Sequence, residues 1–161
     1  MKKIVSIALS LMLVLSLVAC GGSNSSAKEA PDLSKYYEDF MSSLGADNTP
    51  MMMELDADMT EAFYAGLNEI ETKQKVMQAA AMSAVPFEFA LVEVANADDA
   101  AKVEEIFQAR KEAQVAGGAW YPETIAAWEK AEIITNGNVV ALIVAGETQT
   151  DAVDAFNALF K

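Results

Sequence analysis

The chain has 161 residues, with 24 acidic side chains against 11 basic ones, no histidine and a single cysteine. A net charge of −13 repels phosphate backbones and anionic lipid headgroups, so it disfavours nucleic-acid binding and attachment to a membrane through charge. Without histidine, the chain cannot form a Ser-His-Asp or Cys-His nucleophile or an ordinary zinc site, so any chemistry would have to use Asp, Glu, Lys, Tyr or Ser. The sequence singles out no catalytic residues, and we expect no metal or other cofactor.

The first twenty residues have the order of an export signal. Residues 1–3 are basic at two positions, residues 4–17 form an apolar run broken only by serines, and Ala19 precedes Cys20. The run to Ala19 is shorter than the roughly 18 residues that suggest a membrane span, and the order is typical of a secretory signal. The sequence LVAC at residues 17–20 resembles the lipobox of bacterial lipoproteins. This resemblance implies cleavage after Ala19 and lipidation of Cys20; a secreted protein with an incidental cysteine and an uncleaved helix are the alternatives.

The expected mature chain consists of a tether and one domain. We assign residues 1–19 to a lipoprotein signal peptide, residues 20–31 to the lipidated cysteine and a flexible tether, and residues 32–161 to a single domain. Cys20 has no disulfide partner within the chain, which agrees with lipidation. Loss of residues 1–19 leaves 9 basic and 24 acidic residues, a net charge of −15. Attachment to the extracytoplasmic face of the membrane must therefore come from the lipid.

The first part of the domain predicts two helices and a short strand. Apolar residues over positions 33–44 recur with a helical period and Gly45 follows, so we expect a helix packed on the core, with a membrane-surface helix as the alternative. Residues 51–55 predict a short strand, and residues 58–61 the capped start of a helix that ends near Gly66. Thioethers suit Cu(I), but without histidine or free cysteine the methionines are better explained as core residues. The methionines concerned are Met51, Met52, Met53, Met59, Met77 and Met82.

The middle of the chain predicts a buried strand and a long helix. Residues 75–84 are compatible with a strand or with a helix of small residues, and this alternative stays open. Residues 87–94 predict a mostly buried strand. The longest helical pattern begins at Asp98 or Asp99 and ends at residues 117–118, two glycines.

Arg110, the only arginine, falls on the apolar stripe of this helix with Val103 and Phe107. An arginine on a buried face needs a partner. It can pair with one of the many carboxylates, with its stem packed on the core, or it can clamp an anionic ligand through its planar fork. The sequence therefore makes Arg110 the candidate for a structural ion pair or for a ligand site.

Three aromatic residues surround the start of the next helix. Trp120 and Tyr121 precede Pro122, which suits a first helical turn, and Trp128 is expected to face inward. Paired aromatics of this kind are candidates for lining a sugar or peptide groove, and their commoner role is in the core.

The last part of the chain predicts a hairpin and a final helix. Asn136-Gly137 separates two β-rich runs, which is typical of a tight hairpin turn. Residues 139–145 are apolar on both faces and predict a strand well inside a sheet, and Thr150-Asp151 is expected to cap a helix that packs on the core. The order of elements indicates an α+β domain with a mostly antiparallel sheet, a C-terminal β-hairpin and helices packed against the sheet.

From about residue 33 to the end, the layout resembles the bacterial lipoprotein family known as domain of unknown function 4358. The resemblance rests on five segments: residues 87–92, the helix that contains Arg110, Tyr121-Pro122, residues 136–140 and the helix over residues 151–160. It implies a short, lipobox-bearing extracytoplasmic protein and supplies no catalytic residues.

Two functions remain from the sequence. The first is a lipid-anchored, non-enzymatic binding or interaction module at the cell surface, with a cell-envelope protein or the cell wall as partner. At about 130 residues the domain is too short for a two-lobed solute-binding protein. The alternative is a cell-wall hydrolase that uses two carboxylates across a groove, although no spacing singles out such a pair.

Overall fold

The computed structural model describes residues 30–161. Within this range the chain forms a five-stranded sheet with helices on both faces. The helices are α1 Leu33–Ser43, α2 Ala57–Phe63, α3 Ala100–Ala113, α4 Pro122–Glu129 and α5 Gln149–Ala158. The strands are β1 Met52–Glu54, β2 Thr72–Ala80, β3 Phe87–Val94, β4 Glu132–Asn136 and β5 Val139–Ala145. None of the helices described is long and apolar enough to cross a membrane.

Every strand pair in the sheet is antiparallel, and the strand order is β1-β2-β3-β5-β4. Strands β4 and β5 form the C-terminal hairpin, in which Gly137 has a φ of 59°. A left-handed conformation of this kind suits glycine, because it has no Cβ. Strand β5 lies between β3 and β4, and all its residues are buried. These observations confirm the predicted α+β class, the antiparallel sheet and the hairpin.

The sheet separates two apolar cores. On one face, Val103, Phe107 and Trp128 pack with the inward residues of β3 and β5. On the other face, Leu33 and Phe156 from α1 and α5 pack in the second core. We call these the α3/α4 face and the α1/α5 face. Burial of each large apolar side chain contributes about 1.5–3 kcal/mol, so the two cores together hold the helices on the sheet.

The first helix is fixed to the sheet through one glutamine. The side chain of Gln74 accepts a hydrogen bond from the Leu33 N–H and donates to the Pro31 carbonyl and to Glu93. At the same helix end, Asp32 accepts a hydrogen bond from the Lys35 N–H. These contacts satisfy backbone groups that a helix end leaves open, so α1 begins where the sequence predicts.

The structure decides the open alternative and corrects two details of the elements. The segment predicted over residues 75–84 as strand or helix is a strand up to Ala80, the end of β2, which is paired on both sides, and residues 81–84 form bends and turns. Helix α2 is capped by Asp56, which accepts from the Met59 N–H, so it begins before the expected Asp58. The last helix is not capped by Thr150, because buried Gln149 already bonds back to the end of β5 and starts the helix.

Candidate functional site

Arg110 lies near the C-terminal end of α3 and turns its guanidinium toward the sheet. Its Nε donates to Glu88 Oε1 at 2.9 Å and its Nη2 donates to Glu88 Oε2 at 2.8 Å. The two side chains are 12% and 6% exposed, so the pair is nearly removed from water. Two parallel hydrogen bonds of this kind match the fork of a guanidinium to a carboxylate.

Tyr64, which follows α2, completes the network. Its hydroxyl donates to Glu88 Oε1, so both carboxylate oxygens of Glu88 accept hydrogen bonds. Burial and the neighbouring charge of Glu88 raise the pKa of Tyr64 well above its ordinary value, because both disfavour the phenolate. Burial alone lowers the pKa of Arg110, but the hydrogen bond and charge of Glu88 outweigh this and raise it.

Aromatic rings enclose the guanidinium of Arg110. Its Cζ lies 4.2 Å from the ring centre of Phe63, 5.3 Å from that of Trp128 and 5.8 Å from that of Tyr64. A cation over an aromatic face is attracted by the ring quadrupole, more strongly where water is excluded. We call these five residues, Phe63, Tyr64, Glu88, Arg110 and Trp128, the Arg110 cluster.

Sequence reasoning found Arg110 and Trp128 but missed the other three members of the Arg110 cluster. Glu88 carried a signal, because it is a charged residue inside the apolar run of residues 87–94. A carboxylate at such a position is rarely buried unless it is paired. Nothing local marked Phe63 and Tyr64, whose role depends on how α2 approaches α3.

A groove of about 260 Å³ lies over the cluster, between the β2–β3 loop and the segment that joins α3 to α4. We call it the cluster groove. It is lined by Phe63, Ala79, Ala80, Met82, Ser83, Val85, Phe87, Glu88, Arg110, Gln114, Gly118, Ala119, Thr124 and Trp128. Most of these side chains are apolar, and the charged ones bond to each other.

Five large apolar side chains of the described chain are exposed, and each lies in a segment that lines this groove or is hydrogen-bonded to one that does. They are Met51, Met82, Val115, Trp120 and Tyr121, and we call them the apolar rim. Met82 lines the groove, and the Met51 carbonyl accepts from the N–H of Ala81 beside it. Val115 and Trp120 directly follow the lining residues Gln114 and Ala119, and the backbone of Tyr121 bonds to the hydroxyl of the lining residue Thr124.

The three aromatic residues singled out by the sequence are divided between the rim and the core. Trp120 is 81% exposed and Tyr121 is 49% exposed, whereas Trp128 is buried beneath the groove. The structure therefore brings Trp128 next to Arg110 and leaves Trp120 and Tyr121 in solvent. Ala19 and Cys20 lie outside the described residues.

Within residues 30–161, no group of three or more His, Cys, Asp and Glu side chains could hold a metal ion. Of the six methionines considered for soft metals, Met77 is buried in the core of the α3/α4 face, while Met51 and Met82 belong to the apolar rim. The exposed pair is therefore available for contact with another molecule.

The fold and the cluster groove define a small α+β domain with a buried arginine–glutamate–tyrosine network under an apolar surface. The chain belongs to the family described as Domain of unknown function (DUF4358), whose model matches residues 45–145. The match contains the whole Arg110 cluster and all five strands, while α1 and α5 lie outside it. No curated protein and no solved structure matches the chain.

Proposed function

We propose that the protein is a lipid-anchored, extracytoplasmic binding module that holds a partner at the cell surface through the cluster groove and apolar rim. The observation that carries the binding role is that the exposed large apolar side chains of the described residues all lie in segments that line or adjoin one groove. Large exposed apolar residues scattered singly need no explanation, but a contiguous group indicates an interaction site.

The groove chemistry favours binding over the carboxylate-dependent hydrolase. A glycosidase needs two carboxyl groups about 5–9.5 Å apart, one of which must exchange a proton or attack the sugar. Among the described residues that line the groove, Glu88 is the only carboxylate. Its oxygens accept from Arg110 and Tyr64, and a proton transfer through Glu88 would break this buried network.

The cluster groove and the start of the described chain lie near opposite ends of β3, which supports attachment to the membrane at one end of the domain and partner binding at the other. The described chain begins at Ala30, beside a cavity that is also lined by Glu93. Glu88 lines the cluster groove from the opposite end of β3. The two glutamates are about 17 Å apart along the strand, at roughly 3.4 Å per residue. A tether that reaches the domain at Ala30 leaves the groove accessible to a partner.

The anchor is tested by fractionating bacteria that express the full chain or its Cys20→Ser variant. The wild-type chain is expected in the membrane fraction and the variant outside it, since only the lipid holds the acidic chain to the bilayer. Mass spectrometry of the wild-type chain should show acylated Cys20 as the N-terminal residue. An unmodified thiol, a retained leader or a membrane-bound variant contradicts the anchor.

The binding role is tested by cross-linking in intact cells. A partner that is cross-linked to the wild-type chain should be lost with Met82→Ser/Trp120→Ser and retained with Ser34→Ala/Glu38→Gln, a control pair exposed on α1. Equal cross-linking of both variants contradicts binding at the groove. Release of soluble fragments from purified cell walls that is lost in Glu88→Gln would instead favour the hydrolase.

A further inference from the structure

We propose that the cluster groove takes a cationic segment of a partner protein, anchored by an aliphatic or aromatic side chain. This inference rests on the proposed binding role and names the chemistry of the partner. Three observations carry it: the residue types in the rim, the few polar groups left in the groove, and the charge around it.

The rim has the composition of a protein–protein contact. Tyrosine, tryptophan and methionine are enriched at such interfaces, and methionine adapts its shape to different partners. Trp120 is 81% exposed and Met82 is 62% exposed, so both have surface left to bury against a partner. Tryptophan is also the side chain most often found at the energetic centre of an interface.

The groove offers few hydrogen bonds to a ligand rich in hydroxyl groups. Glu88 and Arg110 bond to each other, and the Thr124 hydroxyl bonds to the backbone of Tyr121. Of the polar side chains described in the lining, this leaves Ser83 and Gln114. Burial of polar groups without a partner is costly, so the groove suits an apolar side chain better than a glycan.

Charge selects a cationic partner over a second copy of the chain. The chain carries a net charge of −13, and two copies would repel each other at a shared surface. The positive charge of Arg110 is paired with Glu88 and does not offset this. Exposed Glu123 stands beside groove residue Thr124, and exposed Glu147 lies in the turn that packs on α4. These carboxylates can pair with lysine or arginine residues that accompany an apolar anchor.

The test measures fluorescence anisotropy of labelled peptides with the full lipidated chain in zwitterionic detergent micelles, with empty micelles as blank. The first probe is a short peptide of alternating lysine and leucine. The second replaces its lysines by glutamate and the third replaces its leucines by serine. We expect binding of the first probe, with clear weakening when ionic strength rises from about 0.1 M to about 1 M, because the screening length falls from about 10 Å to about 3 Å.

Matched variants locate the contact. Trp120→Ala/Met82→Ala should weaken binding of the lysine–leucine peptide by about tenfold or more, and Trp120→Phe should retain most of the affinity. Glu123→Gln/Glu147→Gln should weaken binding, whereas Glu38→Gln/Asp154→Asn removes the same charge from the α1/α5 face and should have little effect. Circular dichroism should show the same fold for all variants, since every substituted side chain is exposed.

Each other outcome overturns the inference. If the glutamate or serine peptide binds as well as the first probe, the partner need not be cationic and apolar. If Glu123→Gln/Glu147→Gln and Glu38→Gln/Asp154→Asn lose the same amount of affinity, the groove rim is not the contact. Displacement of the first probe by soluble cell-wall glycan fragments identifies a glycan site. Dimerisation that depends on Trp120 identifies a second copy as the occupant. If no peptide binds, the inference fails, while cross-linking in cells decides the broader binding role separately.

Discussion

Removal of the Arg110 side chain should destabilise the domain severely. Arg110→Ala leaves the Glu88 carboxylate buried without its ionic partner, and loss of one member of a buried pair costs about 3–5 kcal/mol. Loss of the ring contacts with Phe63 and Trp128 adds about 0.5–2 kcal/mol. Since domains have about 5–15 kcal/mol of stability, the variant should approach the limit of folding.

The change is measured by urea unfolding and by thermal melting. With a loss of about 4 kcal/mol, the melting temperature should fall by about 12–20 °C for a domain of this size, at roughly 3–5 °C per kcal/mol. A loss of unfolding free energy below about 1 kcal/mol, with the same dependence of that free energy on urea concentration, would refute this prediction. It would mean that water reaches the Glu88 carboxylate and takes the place of the guanidinium.

The control removes the whole network at once. The triple variant Arg110→Met, Glu88→Leu and Tyr64→Phe leaves neither a buried charge nor an unpaired hydroxyl. Replacement of a buried ion pair by apolar residues of similar volume is often neutral or stabilising, so the triple variant should be more stable than Arg110→Ala. The three residues share hydrogen bonds, and their single effects should therefore not add. A triple variant as unstable as Arg110→Ala would show that packing, and not charge compensation, sets the cost.

Two further predictions concern pH and backbone conformation. Burial raises the pKa of Tyr64 and Tyr36, so stability should be fully present below about pH 10, where unfolded tyrosine begins to ionise, and should fall above it. Urea midpoints between neutral and alkaline pH check this, and Tyr64→Phe should flatten the decline; an unchanged decline contradicts it. Gly146→Ala should destabilise more than Gly137→Ala, because both have positive φ but only at Gly146 would a Cβ meet Pro86 Cγ, at 3.2 Å. Denaturation midpoints in the opposite order would contradict the contact.

The parts of the fold that the sequence predicted well are those with a strong local pattern. Strand β5 follows a two-residue hairpin turn, and its residues are apolar on both faces. Such a run predicts a strand inside a sheet, because both of its faces must be covered. Helix α3 has the longest helical pattern and lies where that pattern placed it, although the chain after it widens into a π-helical turn at Gln114–Gly118. Residues 75–84 had no such pattern, and only pairing with β1 and β3 made the part up to Ala80 a strand.

The candidate site was predicted less completely because its contacts are distant in the chain. Arg110 was marked by its position on an apolar stripe, but the choice of Glu88 among 24 acidic residues depends on the packing of α3 over β3. The exposure of Trp120 and Tyr121 was equally hidden, since an aromatic pair before a helix has the same sequence whether it packs inward or faces solvent. Tertiary packing decides both.

The geometry of the Arg110 cluster also bears on how the groove can bind. A ligand carboxylate that used the fork of Arg110 would have to displace Glu88, whose buried charge would then lose its compensation. The complex would gain an ion pair between Arg110 and the ligand and lose the one between Arg110 and Glu88, while Tyr64 stays bonded to the displaced Glu88 carboxylate. Arg110 is therefore better suited to form a neutral, rigid floor than to clamp an anion. Binding energy at this surface then has to come from the exposed side chains at the rim, where Trp120 has the most surface left to bury.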